Sequence, residues 1–307
     1  MIEEFGMTEK RTGLTEKGKK RRRHEILVSY AYLIPWFIFF AIFTVYPFIY
    51  GAGMSFFKQT LSSSQFIGLE NYKELFADEQ FKESIIVTLK FVAIIIPGTI
   101  IFSLFIAYAI QGAKKWFQSL VKIVFYTSSI VSQVALVIVW RWMFSPSYGL
   151  FASICNLIGV APVDLLGNTK YSIPLLSFLV MSFTVAQPII LFSSAIDGVS
   201  STYSEAAALD GATDFQIFRK ITLPLIRPTI LFVLVTTTIN NLQVFLVPYL
   251  LTGGGPNNHT TPILLLIYRN AFDYGNFGYA SAMGVVLFVI IAVFVSIQFK
   301  MQTKGDE

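Results

Sequence analysis

Thr236, Asn240 and Gln243 recur at i, i+4 and i+7 in a run without a charged residue from 228 to 268, with Thr237 and Asn241 beside them. On a helix that spacing lines up one face. Ser129, Ser132 and Gln133 interrupt a second apolar run, and Thr184 and Gln187 a third. Hydroxyls and amides donate and accept hydrogen bonds, as sugar hydroxyls require, without the charge that an ionic solute would call for. The same groups also bond between membrane helices, at roughly 0.6–2 kcal/mol each. Each position therefore has a packing role to set against a cargo-binding one. Asn240, Asn241 and Gln243 are the leading candidates for cargo, because amides so close together exceed what packing needs.

Little else in the chain could react. Its one cysteine, Cys155, has no disulfide partner and belongs to no thiolate cluster for a metal. His24 and His259 fall in a tail and a loop, while Lys90 and Arg141 stand at the edges of apolar runs. The apolar runs hold no concentrated catalytic set of His, Asp, Glu or Cys, which argues against an integral-membrane enzyme. Proton-coupled carriers place ionisable groups inside the membrane, and these runs carry none near their centres. With no G-x-x-x-x-G-K-[ST] segment to cradle phosphates, uphill transport would need an ATPase on another chain.

The elements that must position these groups follow from composition. The chain has 307 residues, 54% hydrophobic and 13% charged, where a soluble domain is about 25% charged. Charge-free runs cover 26–57, 91–113, 123–140, 171–196, 228–268 and 274–299. Each is close to or beyond the ~20 residues that cross a hydrocarbon core, and their continuous apolarity excludes the alternation of barrel strands. The expected fold is all-α and polytopic, with six transmembrane helices, kinked at Pro97 and Pro188. Lys and Arg concentrate in the N-terminal tail, in loops 114–122 and 219–227, and at Lys300 and Lys304, so both termini are expected inside. The basic cluster Lys17 to Arg23 reads as a topogenic anchor, and the first apolar run is too long for a signal peptide. This gives a basic tail over 1–25, a membrane domain over 26–301 and a short tail over 302–307.

Between the runs, a short helix is expected over 69–76 and another over 150–158, stopped by Gly159. Ser145-Pro-Ser-Tyr-Gly149 and Thr252-Gly-Gly-Gly-Pro-Asn-Asn258 read as outer turns. The most structured loop lies on the inner side, over 200–224. There Ser204 is positioned to cap a helix over 205–210, Gly211 to end it in a left-handed conformation, and Thr213 with Gln216 to open a second through a capping box. Phe215 and Phe218 share a face, and Pro224 closes the element. Such a stripe could lie in the membrane interface; the order of its residues suggests another role.

Glu205-Ala206-Ala207, Asp210-Gly211-Ala212 and Ile221-Thr222-Leu223-Pro224, between the fourth and fifth of six spans, resemble the "EAA" loop of permease subunits in binding-protein-dependent ABC importers. The likeness extends over about 28–301 and is closest to the sugar-importer branch that includes maltose and glycerol-phosphate permeases. Two further stretches resemble that branch, Phe66-Ile-Gly-Leu-Glu-Asn-Tyr72 and Leu251-Thr-Gly-Gly-Gly-Pro-Asn257 with Ile267-Tyr-Arg-Asn-Ala-Phe272. Ser200 departs from the family, where Pro is common. The resemblance implies a type I ABC importer permease in a bacterial or archaeal cytoplasmic membrane. It further implies a second, similar permease as partner, an ATPase dimer that binds ATP-Mg, and an extracellular binding protein that delivers a saccharide. A polyol, sugar phosphate or other small solute fits the same architecture. On that reading Glu205 pairs with a basic group of the ATPase, Ala206 and Ala207 allow close approach, Gly211 lets the helix pair bend, and Phe215 and Phe218 supply apolar contacts. The chain would hold no cofactor of its own.

Overall fold

The computed structural model describes residues 28, 30–60 and 63–303. The predicted basic tail and residues 304–307 lie outside the described residues. The chain divides into two compact units, Met1–Gly53 and Met54–Glu307. The first contains most of α1 (Tyr30–Met54), an apolar helix long enough to cross a membrane. Aromatic side chains stack along it at helical spacing, Trp36 on Phe40 at 5.2 Å and Phe39 on Phe43 at 6.0 Å.

The second unit opens with the hairpin β1 (Phe57–Gln59) and β2 (Ser64–Phe66), followed by α2 (Glu70–Ala77). Buried Asn71 ties them together, donating to the carbonyls of Ser55 (2.7 Å) and Phe57 (3.0 Å). The central element is α3 (Glu79–Ala109). It starts well before the predicted run because Asp78 caps it, accepting from the Gln80 N–H at 2.8 Å, and Glu79 sits in the first turn, where the helix dipole favours an anion. The helix continues through Pro97 without interruption. Phe81, Val87, Phe91 and Ile95 are buried along it.

Three of the predicted spans are interrupted, the third against an expected continuous helix, the fourth by a break where a kink was expected at Pro188, and the fifth where its run was expected to outlast the helix. The third is α4 (Lys115–Ile130) and α5 (Gln133–Met143), at 93° to each other. A short α6 (Leu150–Leu157) follows, stopped as expected at Gly159, whose φ is +77°. The fourth span is α7 (Ser172–Thr184) and α8 (Ala186–Asp197), bent by 53°. Pro188 has no N–H to offer the Thr184 carbonyl, so the ladder fails there. After α9 (Ser201–Leu209) comes α10 (Asp214–Leu225), which meets α11 (Arg227–Leu242) at 70°. The fifth charge-free run thus ends as a long helix at Leu242 and continues in the short α12 (Leu246–Thr252) and α13 (Ile263–Tyr268). The last span, α14 (Phe277–Thr303), runs two residues into the predicted C-terminal tail. Helix α3 packs on α7, α8 and α11, and α14 packs on α11.

Candidate translocation path and coupling loop

The polar residues singled out by spacing gather at the broken spans. Ser129 lies in the last turn of α4, Ser132 is the N-cap of α5 and Gln133 its first residue. Val131 and Ser132 are extended, so the final carbonyls of α4 and the first N–H groups of α5 lack helical partners. Thr184 ends α7 and Gln187 is in the first turn of α8, on either side of Val185. Asn240, Asn241 and Gln243 close α11.

Hydroxyls of neighbouring helices add bonds to carbonyls beside the break in the fourth span, where the Val185 carbonyl also accepts from the Ile189 N–H at 3.1 Å. Ser103 of α3 donates to the Val185 carbonyl (3.4 Å) and Ser128 of α4 to that of Ser182 (3.0 Å). One buried cluster holds the three interruptions together, since it contains Val137 of α5, Val180 and Phe183 of α7, Val244 just before α12, and Val247.

Within that frame the candidates divide. Thr237 and Asn241 are buried, and the Asn241 amide donates to the Thr237 carbonyl at 2.8 Å. Thr236 and Thr184 are half-buried and return their hydroxyls to Phe232 (2.8 Å) and Val180 (3.1 Å). Ser129, Ser132, Gln133, Gln187, Asn240 and Gln243 are exposed. An amide facing hydrocarbon without a partner costs roughly 2–7 kcal/mol. Within that set Ser129 donates to the Tyr126 carbonyl (2.7 Å) and Gln243 to that of Ile239 (3.0 Å), so it is the exposed amides of Gln133, Gln187 and Asn240 that mark a side unsuited to lipid. Outside the predicted set, Gln298 of α14 donates to Thr238 at 2.7 Å, which is a helix-to-helix bond.

The loop between the fourth and fifth spans forms the expected helix pair, with two corrections. Helix α9 starts at Ser201, and its N-cap is Ser200, whose hydroxyl accepts from the Thr202 N–H. Ser204 is inside the helix and donates to Ser201 at 2.8 Å. Gly211, at φ +82°, ends the helix in a Schellman arrangement, with Gly211 N–H on Ala208 and Ala212 N–H on Ala207, both at 3.0 Å. The Thr213 capping box forms, with bonds of 2.8 and 3.4 Å. Pro224 does not close the element. It lies within α10 after a wide-turn segment, Phe218–Thr222, and the chain bends at Ile226.

Glu205, Ala206, Asp210, Gly211, Phe215 and Pro224 are exposed, and Ala207 is half-buried. Leu209 is 90% exposed, Phe215 62% and Tyr203 56%, so the outward apolar surface includes two residues the spacing did not single out. Their signal was the true start of α9, four residues earlier than expected. Phe218 turns the other way, its ring 4.4 Å from that of Tyr108. A 480 Å³ cavity under the loop is lined by Tyr108, Gln111, Ser204, Asp214, Phe218 and Thr222.

An apolar helical bundle with an uncharged polar seam at its broken spans and a capped, outward-facing helix pair is the architecture of a polytopic membrane transport subunit. The chain belongs to the family of binding-protein-dependent transport system inner membrane components, whose model matches residues 99–304. It is 33% identical over 282 residues to the multiple sugar-binding transport system permease protein MsmF of Streptococcus mutans, covering 91% of this chain and 96% of that one. It is also similar to a solved bacterial ABC transporter that imports the acidic polysaccharide alginate, with TM-score 0.82, 27% identity and coverage of 94% and 99%. A second structure of an alginate transporter, in complex with a pentasaccharide-bound periplasmic protein, matches with TM-score 0.80 and 28% identity, over 93% and 96%.

Proposed function

We propose that this chain forms half of the translocation path of an ATP-driven importer for a neutral saccharide and couples to a separate ATPase through residues 200–224. The observation that carries this is the gathering of exposed, uncharged donors and acceptors, Ser132, Gln133, Gln187, Asn240 and Gln243, at helix breaks that share one buried core. Broken helices near the middle of a membrane free backbone and side-chain groups for a solute. A strongly anionic cargo would want a cation there, and these breaks supply none. The relatives named for multiple sugars and for alginate support a saccharide.

Both termini lie on the cytoplasmic side in this reading, following the distribution of Lys and Arg. Tyr203, Leu209 and Phe215 meet the ATPase, with Glu205 paired to a basic group of it. A second permease covers the exposed polar side of α4, α8 and α11 and completes the path. The hairpin, α2 and an 820 Å³ cavity lined by Lys58, Gln65, Glu70, Glu74, Asn276 and Tyr279 face outward, a polar surface for a loaded binding protein. ATP-Mg binds the ATPase. Closure of that ATPase favours one access state of the permease, and the access state in turn biases closure.

The test is co-purification of the assembled complex, followed by a screen of saccharides with the binding protein for stimulated ATP hydrolysis. Stimulation by one class of neutral saccharide is expected. Stimulation only by a charged or non-sugar solute would overturn the reading.

A further inference from the structure

Among the aromatic and large apolar residues of the coupling loop, Tyr203, Leu209 and Phe215 point out and Phe218 points in. Its ring lies 4.4 Å from Tyr108, tilted by 41°, in the last turn of α3. It also packs on a buried cluster formed by Ala107 of α3, Phe192 and Ile196 of α8, Ile226, and Val233 of α11. The cluster it packs on draws residues from three crossings. Beside it lies the 480 Å³ cavity, lined from the loop by Ser204, Asp214, Phe218 and Thr222. Phe218 is also the first residue of the wide-turn segment, a distortion that recurs at functional sites.

The helix that Tyr108 terminates is the one on which α7, α8 and α11 pack, and these carry two of the three polar breaks. A displacement of the loop has a short physical route to the seam, from Phe218 to Tyr108 and along α3. We propose that Phe218 is a positioning residue that keys the coupling loop to the second crossing through Tyr108, so that α3 moves with the loop, and that it is not a contact for the ATPase. This rests on the reading of the loop as the ATPase dock.

The experiment uses the full complex of permease pair, ATPase and binding protein in proteoliposomes, with the saccharide that stimulates wild-type hydrolysis. Phe218→Ala, Tyr108→Ala and the double variant are compared with Phe215→Ala, Phe218→Leu and Tyr108→Phe. Two quantities are read, the ATPase retained through purification and the ratio of stimulated to basal hydrolysis. Phe218→Ala and Tyr108→Ala should each retain the ATPase and lower the ratio at least fivefold. The double variant should be no worse than either single one, as residues acting through one contact are non-additive. Tyr108→Phe, which keeps the ring, should behave as wild type, Phe218→Leu should recover part of the ratio, and Phe215→Ala should lose ATPase instead.

Release of the ATPase by Phe218→Ala with Tyr108→Ala silent would overturn the proposal, as would full additivity or unchanged ratios. If Phe218→Ala fails to assemble, Phe218→Leu and Tyr108→Ala carry the same comparison. Wild-type complex that lacks an ATPase would instead overturn the functional reading beneath it.

Discussion

Gly211 offers the most direct perturbation of the loop, because the structure separates backbone strain from bulk. Its φ is +82°, and a Cβ added there would meet no atom within 4 Å. Any effect of a side chain must therefore come from the backbone. The left-handed region costs an L residue about 1–2 kcal/mol, and escaping it would disturb the Schellman bonds from Gly211 and Ala212, both at 3.0 Å. One to two kcal/mol is about a 5–30-fold change in population, so the fraction of loops in docking geometry should fall by that factor in Gly211→Val. Gly211→Ala should lie near the lower end, and Gly211→Asn nearer to wild type, since Asn tolerates this conformation. Titration of the ATPase onto immobilised permease pair gives the affinities. If Asn binds as weakly as Val, or if Val binds like wild type, the strain argument is wrong.

Two further predictions test how the candidates divide. Asn240→Ala should cut uptake while leaving ATPase docking and thermal stability unchanged, whereas Asn241→Ala, at a site 2% exposed, should lower stability in detergent by about 1–3 kcal/mol; the reverse pattern would exchange their roles. A Cβ on Gly278 would lie 1.9 Å from the Phe57 carbonyl oxygen and 3.0 Å from the Gln59 nitrogen. Both are backbone atoms, so Gly278→Ala should cost about 1–3 kcal/mol, and an unchanged unfolding midpoint would show that the hairpin is not packed this way.

What was legible in the sequence was local. The stop at Gly211 and the capping box of Thr213 and Gln216 depend on residues within a few positions of one another, and both formed. Charge-free runs located the spans but misplaced the start of α3, because Glu79, Lys82 and Glu83 count against a membrane helix yet suit its capped first turns. Of the breaks, only the one beside Pro188 left a mark in the sequence, and it was expected as a kink. Val131 and Ser132 are neither Gly nor Pro, and the hydroxyls that catch carbonyls near Val185 come from 82 and 54 residues away. Asn240 and Asn241 are sequence neighbours that differ by about 100° of helix rotation, so only the packing of α11 decides which one is buried. Phe215 and Phe218 share a face by spacing, but Tyr108, from a distant crossing, draws one of them inward.

The central claim is that the outward surface of α9 lies on the cytoplasmic side, gripped by a nucleotide-driven partner. Leu209, 90% exposed, reports on it directly. With Cys155 replaced by Ser and Leu209 by Cys, a membrane-impermeant thiol reagent should label inverted vesicles stripped of the ATPase, spare right-side-out vesicles, and lose access when the ATPase is restored. Labelling from the outside, or labelling indifferent to the ATPase, would contradict the account.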